Sequence, residues 1–453
     1  MVKKGSILTV TIADTVFPNK GVAYVDGERV IVHDALEGQT VRIKITKKRG
    51  SKIEAKILEV LERSPLEQEA PCAQFGTCGG CTYLHIPYES QLELKTRQVL
   101  ELLADAGIQG FEFLGIQPSP NVTAYRNKME YTFGDTEDGI LSLGLHRKRM
   151  RYEVSPVAGC QLVDEDFLSI LDAALDYLRS SNVPFYHKKS HQGVLRHLVI
   201  RKAGTTGEIL VNLVTTSQGG LELAGLVQKL LSLDLMGTIK GILHTINDGK
   251  ADAIQVDALH VLWGRDYITE KILGLTFRVT AFSFFQTNSH GAEKLFTVVR
   301  DFAGQDLGVV FDLYCGTGTI AQIISPQAKK VIGIEIVPEA IEAARKNAQL
   351  NGLDNCRFIV GDVLAELDNL QEKPDLVILD PPRSGIHPKA LDKLIAVRPP
   401  RLVYVSCQPV SLARDLAVFS ANGYRVVKVR CVDMFPHTPH VECVTLISRV
   451  ENI

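Results

Sequence analysis

Strands and helices alternate along the chain from about residue 270 onward. An apolar strand ends at Cys315 and runs directly into the glycine turn Gly316-Thr-Gly-Thr319, and a helix begins at Ile320. The predicted strands cover Val309–Cys315, Val331–Glu335, Arg357–Val360 and Asp375–Asp380, with a long helix from Pro338 to Leu350. Such alternation is the signature of a doubly wound parallel sheet, so we expect an α/β fold for this part of the chain.

The first 62 residues follow a different, period-two pattern. Short runs such as Ser6–Ile12 and Gln39–Ile45 alternate polar and apolar side chains, and turn residues separate them. Several short strands at this spacing predict a small closed β-barrel. Seven cations and one acid, Glu54, lie between Arg42 and Lys56. These cations are either a solvated face or the RNA-binding face of an OB-like module, and the segment resembles a TRAM domain.

The middle of the chain mixes the two patterns. One amphipathic helix is predicted over residues 87–107, and strand-like runs such as His197–Arg201 come after it, which indicates an α+β unit. The predicted domains are a TRAM-like barrel over residues 1–62, a central α+β domain over 63–270 and a catalytic α/β domain over 271–453.

Four of the nine cysteines suggest a thiolate site rather than disulfides. Cys72, Cys78 and Cys81 form a C-x5-C-x2-C motif whose glycines let the backbone curl around a centre. The predicted fourth ligand is Cys160, which lies in another glycine-led turn. Four thiolates suit either Zn²⁺ or a [4Fe–4S] cluster, and their spacing does not separate the two.

Acidic residues follow three of the predicted strands, at the edge where open α/β sheets bind ligands. Glu335 is placed to accept hydrogen bonds from two ribose hydroxyls, and Asp362 to take an adenine amino group. Asp380 faces the same pocket from the rigid turn Asp380-Pro-Pro-Arg383. Ala321 replaces the third glycine of a dinucleotide turn, which is a mild argument because alanine is sometimes accepted there. The third acidic strand end, which a pyrophosphate-binding fold does not need, favours S-adenosylmethionine (SAM) over a dinucleotide more strongly. Helix capping explains one such acid easily but three in series poorly.

Cys407 ends a buried strand, Val403–Cys407, and Pro409 stops further pairing. A thiol at that edge of the sheet is a candidate nucleophile, although most cysteines are simply small buried hydrophobes. Addition of a thiolate at C6 of uracil makes C5 nucleophilic toward a methyl donor, and a base must then remove the C5 proton. Glu442, at the start of the buried final strand, is the predicted base, and burial should raise its pKa. Gln286 offers an amide able to read a uracil edge.

The composition limits the classes of protein that fit. The chain has 453 residues, 45% of them hydrophobic and 23% charged, without an apolar run long enough to span a bilayer. The amino terminus lacks the apolar core of a signal peptide, so we expect a soluble cytoplasmic monomer with reduced thiols. A net charge of −2 restricts any RNA-binding surface to a local patch.

These motifs together resemble the uracil-5 RNA methyltransferase family of the TrmA and RumA type, over nearly the whole chain. The matching stretches are the TRAM-like barrel, the four cysteines, Phe285–Asn288, Asp312–Gly318, Asp380–Arg383, Ser406–Pro409, Ala413–Asp415 and His440–Glu442. The resemblance implies that Cys407 is the nucleophile and Glu442 the base. It also implies that the pocket for SAM and uracil is lined by Gln286, Tyr314, Glu335 and Asp380, with Asp362 as a further SAM contact.

The same resemblance implies three further features. The cysteine quartet would hold [4Fe–4S] rather than zinc, and helix 87–107 would pack on the catalytic domain. A TRAM barrel with an iron–sulfur cluster accompanies family members that act on large-subunit ribosomal RNA. The first choice of substrate is therefore 23S rRNA, and the second is the T-loop uridine of tRNA. In either RNA the target base must be flipped out to reach the pocket.

One departure and three rival hypotheses stand beside this interpretation. The family has Asn or Asp where this chain has Gln408, which keeps the amide but is one methylene longer. The rivals are a cytosine-5 methyltransferase, a non-catalytic RNA-binding protein and a redox sensor built on the cysteine quartet. Gln286 together with Glu442 fits uracil better than cytosine, because cytosine needs an acid at N3.

Overall fold

The computed structural model describes residues 2–136, 138–150 and 152–450, so the outermost ends of the predicted ranges 1–62 and 271–453 lie outside it. The N-terminal sheet has the order β1-β5-β6-β4-β3-β2. Its strands are β1 (Ile7–Thr11), β2 (Asp14–Val16), β3 (Lys20–Val25), β4 (Glu28–His33), β5 (Thr40–Arg49) and β6 (Lys52–Glu62). The two edge strands, β1 and β2, follow each other directly in the chain, and one apolar core lies inside the curved sheet.

The alternation in β5 shows why this segment forms a barrel. Val41, Ile43 and Ile45 are at most 1% exposed and belong to a single apolar core, whereas Arg42 and Lys44 point outward to solvent. Because successive side chains of a strand face opposite sides, one face fills the barrel and the other carries cations.

A long helix and a short strand come next, α1 (Tyr88–Asp105) and β7 (Glu112–Gln117). Gln98 of α1 donates to the Thr15 carbonyl oxygen of the barrel over 2.8 Å. Lys95 forms a fully buried ion pair with Asp433, 2.7 Å apart, in the C-terminal part of the chain. The helix therefore links the barrel to the catalytic domain. Among the helices of the described residues, none combines the length and apolar character that a bilayer crossing requires.

The central domain is a mixed seven-stranded sheet, with the order β10-β9-β8-β11-β12-β13-β14. Its strands are β8 (Lys128–Asp135), β9 (Leu141–His146), β10 (Val154–Pro156), β11 (Leu195–Lys202), β12 (Glu208–Thr215), β13 (Thr238–Ile246) and β14 (Ala258–Gly264). Helices α2 (Glu165–Ser180) and α3 (Ala224–Leu231) bury their apolar faces in one core with this sheet. A hairpin of β15 (Tyr267–Ile272) and β16 (Leu275–Thr280) leads into the catalytic domain.

The catalytic sheet has eight strands in the order β19-β18-β17-β20-β21-β23-β22-β7. Its further strands are β17 (Leu307–Leu313), β18 (Ala328–Glu335), β19 (Cys356–Val360), β20 (Leu376–Leu379), β21 (Arg401–Ser406), β22 (Tyr424–Val432) and β23 (Glu442–Arg449). Its helices are α4 (Ser289–Ala303), α5 (Thr319–Ile324), α6 (Pro338–Leu350), α7 (Val363–Glu366), α8 (Pro388–Val397) and α9 (Pro409–Ala421). Val310 and Phe311 point into separate cores on opposite faces of the sheet, so the predicted doubly wound architecture is confirmed.

Strand β7 is the main departure from the predicted domain ranges. It lies within the range 63–270, yet it pairs in parallel with β22, with Phe113 opposite Val429. The edge of β22 would otherwise present unpaired backbone groups, and β7 covers it. The range predicted as the central domain therefore supplies one strand of the catalytic sheet.

Candidate active site

Five predicted site residues lie at the same edge of the catalytic sheet. Each follows or ends one of the parallel strands: Tyr314 after β17, Glu335 at the end of β18, Asp362 after β19, Asp380 after β20 and Cys407 after β21. The carboxyl ends of parallel strands open into one crevice, which is where such folds bind ligands.

The turn after β17 contains two glycines in the left-handed region, Gly316 (φ 52°) and Gly318 (φ 70°). A Cβ on Gly318 would lie 2.6 Å from the ring of Phe358, so a larger residue does not fit. Gly316 N donates to Oε2 of Glu335 over 3.2 Å, and Val337 N donates to Oε1 over 3.1 Å. These bonds fix the carboxylate beside the turn, and each oxygen keeps acceptor capacity for a ribose hydroxyl.

Exposed apolar side chains border the turn. Phe284 is 69% exposed, and its ring lies 4.0 Å from a Cβ position on Gly316. Ile336, directly after Glu335, is 61% exposed. Open apolar side chains beside a polar turn are typical of a ligand surface, and an adenine ring is the part of SAM that they would cover. The residues present therefore fit SAM.

Asp362 caps the helix that follows it. Its Oδ1 accepts hydrogen bonds from Leu364 N and Ala365 N at 2.8 and 3.3 Å. The same carboxylate lies near Tyr314, whose pKa burial raises to about 12, with the charge of Asp362 adding to the rise. Capping thus accounts for one of the three acids, as expected, and the contact between Asp362 and SAM stays a prediction.

The strand register brings the predicted nucleophile and base near each other. β21 and β23 are antiparallel, and their last pair is Ser406 with Cys443, which directly adjoin Cys407 and Glu442. Cys407 is half-buried, and Glu442 is only 4% exposed. Burial, Asp380 and Arg383 are the influences on the pKa of the Glu442 carboxyl within the described residues, and no hydrogen bond is among them.

Three acidic side chains of the site have raised pKa values. Burial raises the pKa of Glu442 to about 8 and that of Asp312 to about 8, and the charge of Asp380 adds to both. Burial also raises the pKa of Asp380 to about 7. Asp312 Oδ2 accepts from Ala321 N over 2.9 Å, while its buried Oδ1 has no partner among the described residues. Such a group of perturbed acids in a crevice is typical of a catalytic site.

Arg383 is a site residue without a role in the sequence-based prediction. Burial raises the pKa of the Cys407 thiol to about 11, the charges of Glu442 and Asp380 add to the rise, and Arg383 opposes it. The Ser411 hydroxyl donates to the Arg383 carbonyl oxygen over 3.1 Å and so fixes this loop against α9. The motif Asp380-Pro-Pro-Arg383 indicates this position, since an arginine four residues past the end of β20 lies close to the same crevice.

Gln286 lies on a segment that crosses the glycine turn. The Thr317 hydroxyl of the turn donates to the Phe284 carbonyl oxygen over 3.4 Å. Asn288, which caps α4, donates through Nδ2 to the Met434 carbonyl oxygen over 3.0 Å. The segment is therefore tied both to the turn and to the loop before β23. The contact between the Gln286 amide and uracil stays a prediction.

The raised carboxyl pKa values predict a stability that depends on pH. Free Asp and Glu side chains titrate near 4, so the folded chain holds these protons more tightly than the unfolded chain. The free energy of unfolding should therefore fall as the pH rises from about 4 to about 8. Glutamine stays uncharged, as the protonated acid is. Glu442→Gln should therefore raise the free energy of unfolding by about 2 kcal/mol at pH 8.5 and hardly change it at pH 4.5. Calorimetry at the two pH values tests this, with the exposed Glu339→Gln as control; an equal effect at both would contradict it.

The four predicted cysteine ligands lie near one another. Burial raises the pKa of Cys78, and charges at Cys160 and Cys72 add to the rise. Burial raises the pKa of Cys81 to about 12, and the other three cysteines add to it. In the described part of the chain, however, no group of three or more His, Cys, Asp or Glu side chains is gathered closely enough to hold a metal ion. The cysteine ligand set therefore stays a prediction.

Comparison with known proteins decides the family. Residues 255–450 match the model of the tRNA (uracil-5-)-methyltransferase family, and residues 2–58 match the TRAM domain. An uncharacterized RNA methyltransferase of Caldanaerobacter subterraneus subsp. tengcongensis is 50% identical over 98% of this chain and 99% of its own length. An uncharacterized RNA methyltransferase of Clostridium tetani is also 50% identical, over 100% of this chain and 99% of its own length. The chain belongs to the RNA uracil-5-methyltransferase family.

A solved relative of this RNA uracil-5-methyltransferase covers almost the same length. The Pyrococcus abyssi tRNA (uracil-54, C5)-methyltransferase, in complex with S-adenosyl-L-homocysteine, is 25% identical and superposes with a TM-score of 0.76. The likeness covers 97% of this chain and 100% of the other. The predictions of the family, the TRAM domain, a SAM-dependent enzyme and an RNA substrate are therefore confirmed.

Proposed function

We propose that this methyltransferase methylates C5 of a uridine in 23S rRNA through a covalent bond between Cys407 Sγ and C6 of the base. The observation that supports the proposal is the register of β21 and β23, whose last pair, Ser406 and Cys443, directly adjoins Cys407 and Glu442. A nucleophile and a base at one crevice are what methylation of an unreactive ring carbon requires.

The chemistry begins at Cys407. Its thiolate adds to C6 of uracil, and the electron pair of the C5–C6 double bond moves toward O4, which leaves C5 nucleophilic. Bound SAM supplies the methyl group. Glu442 then removes the C5 proton, the double bond forms again, and the bond between sulfur and C6 breaks to release the Cys407 thiolate. Arg383 favours the thiolate form of Cys407 both before it adds to C6 and when it is released, because the charge of Arg383 opposes the raised pKa of the thiol.

The remaining site residues hold and polarise the reactants in this proposal. Glu335 is fixed by two backbone N–H groups and would accept the ribose hydroxyls of SAM. Tyr314, Asp362 and Asp380 would complete the pocket. The Gln286 amide would bind a uracil edge, which polarises the ring as electrons move toward O4.

Two RNA substrates remain in competition. The family association of a TRAM barrel and four cysteines with large-subunit rRNA supports 23S rRNA. The likeness to the Pyrococcus abyssi enzyme, which acts on uracil 54 of tRNA, favours a tRNA T loop instead. Since that likeness covers 97% of this chain, tRNA is kept as the second candidate.

Mapping 5-methyluridine in rRNA and tRNA with and without the gene decides between them. We expect one 23S rRNA position to lose the methyl group in the deletion strain and to regain it with the wild-type gene. Cys407→Ala should not restore it. Loss confined to the tRNA T loop would make tRNA the substrate, and no loss in either RNA would refute the proposed function.

We also propose that Cys72, Cys78, Cys81 and Cys160 hold a [4Fe–4S] cluster. The chemistry of the donors supports such a cluster: four thiols come from two segments, three of them add to the rise that burial causes in the pKa of the fourth, Cys81, and Gly80 N donates to Cys78 Sγ over 3.4 Å. Burial raises the pKa of the Cys160 thiol, and the backbone N–H groups of Leu162 and Val163 oppose this rise. Hydrogen bonds to the ligand sulfurs are usual around such clusters. When bound, the cluster would tie the segment after the barrel to the central domain.

Metal analysis after anaerobic purification tests the cysteine site. We expect about four iron and four sulfide ions per chain, since a [4Fe–4S] cluster has that composition. Cys81→Ser should lose most of the iron, because three thiolates hold such a cluster less firmly than four. Cys356→Ser, which changes another half-buried thiol outside the quartet, should keep it. One zinc ion and no iron would show that zinc is the metal.

A further inference from the structure

The segment from Asp433 to Val441, named here the base loop, connects β22 to β23 and leads directly into Glu442. Its residues 433, 434 and 436–438 are buried, although the loop has no regular secondary structure. A buried loop must find partners for its own polar backbone groups, so those partners fix its conformation.

Four successive carbonyl groups of the base loop accept hydrogen bonds from different parts of the chain. The donors are Asn288 Nδ2 to Met434 O (3.0 Å), Lys95 Nζ to Phe435 O (3.2 Å), Tyr125 Oη to Pro436 O (3.0 Å), and the backbone N–H groups of Thr82 and Tyr83 to His437 O (2.8 and 2.9 Å). Four separate parts of the chain thus contact the base loop. They are the helix cap beside Gln286, helix α1, the segment before β8 and the segment after Cys81.

Helix α1 adds side-chain contacts to the same loop. Gln91 Oε1 accepts from His437 N over 2.8 Å, while its Nε2 donates to the Tyr83 and Ile86 carbonyl oxygens. Lys95 pairs with Asp433 at the start of the loop. Gln91 and Lys95 are both 0% exposed, so these bonds are not exchanged with water.

We propose that Tyr125 is a positioning residue for Glu442, acting through the base loop. The inference rests on the proposed role of Glu442 as the base. The Tyr125 hydroxyl donates a hydrogen bond to the carbonyl oxygen of Pro436, which lies six residues before Glu442. The Tyr125 side chain is 4% exposed. The tyrosine lies three residues before β8, the first strand of the central sheet along the chain. It thereby connects the base to a part of the molecule outside the catalytic sheet.

The test separates the two halves of the reaction. Cys407 forms the adduct without the base, whereas release of the product requires Glu442 at the C5 proton. Tyr125→Phe should therefore leave the rate of adduct formation unchanged and slow adduct release by about tenfold or more, because small displacements of a catalytic group are costly. Rapid quench with substrate RNA measures both rates. Tyr131→Phe is the matched control, since its buried hydroxyl has no partner among the described residues.

Hydrogen–deuterium exchange gives a second measurement that does not depend on activity. Residues 433–441 should exchange faster in Tyr125→Phe than in the wild type, and at the wild-type rate in Tyr131→Phe. If Tyr125→Phe does not fold, Gln91→Met removes the bonds to His437 and carries the same two expectations. Equal slowing of formation and release, or no change in either, would overturn the positioning role. Absence of any adduct in the wild-type protein would instead refute the proposed function itself, and the inference with it.

Discussion

Replacing Cys407 with alanine is expected to reduce methylation by at least about 10⁴-fold, because the variant has no group that can add to C6 and activate C5. Binding of SAM should persist, since Cys407 lies on a different strand from Glu335 and the glycine turn. Transfer of labelled methyl groups to RNA from a deletion strain measures the loss. RNA containing 5-fluorouridine should trap the wild-type protein covalently, and peptide mapping should place the bond at residue 407.

Cys356→Ala is the matched control for this prediction. Cys356 is another half-buried thiol of the catalytic domain, and burial raises its pKa to about 11, as it does for Cys407. It lies at the start of β19, away from the carboxyl ends of the strands. The control should methylate normally. Comparable losses in the two variants, or wild-type activity in Cys407→Ala, would refute the covalent mechanism.

Glu442→Gln is expected to stop the reaction after methyl transfer rather than before it. The amide cannot remove the C5 proton, so the bond between Cys407 and C6 persists, and turnover should fall by about 10²- to 10⁴-fold. A methylated protein–RNA adduct should accumulate with ordinary uridine RNA, visible as a slower band in denaturing gels. Glu339→Gln, an exposed change in the same domain, should leave no such band.

The pH profile provides an independent measurement of the same base. The carboxylate must be ionised to act, and the pKa of Glu442 is raised to about 8 by burial and by Asp380. Release of the adduct by the wild type should therefore speed up as the pH rises from 6 toward 8 and level off above it. In Glu442→Gln the residual rate should lose this rise. A wild-type rate that falls over the same range would assign the base to another group.

The sequence predicts the catalytic fold and the position of its site for one physical reason. Strand and helix patterns are local, and parallel strands bring their carboxyl ends to one edge, so Glu335, Asp380 and Cys407 can be assigned to one crevice without coordinates. The nearness of Cys407 to Glu442 is less accessible, because it depends on the register between β21 and an antiparallel strand that follows much later.

Contacts between distant segments escape prediction from the sequence. Gln91, Lys95 and Gln98 look like the solvent side of an amphipathic helix, yet all three are at most 1% exposed because other segments supply their hydrogen-bond partners. The six-residue run of β7 likewise does not reveal its partner strand. Arg383 was accessible from its motif, whereas the capping role of Asp362 depends on where α7 begins.

Strand β7 also determines how this enzyme can be divided. A fragment that begins at residue 271 lacks β7, so the backbone of β22 between Lys428 and Val432 would be left open to aggregation. A chimera of two relatives joined near residue 270 would pair β7 of one parent with β22 of the other, and would need those side chains to be compatible. A unit of exchange that keeps the catalytic sheet intact therefore begins before β7, and one that also keeps the buried ion pair of Lys95 with Asp433 begins before α1, at about residue 87. Either unit includes the whole central domain.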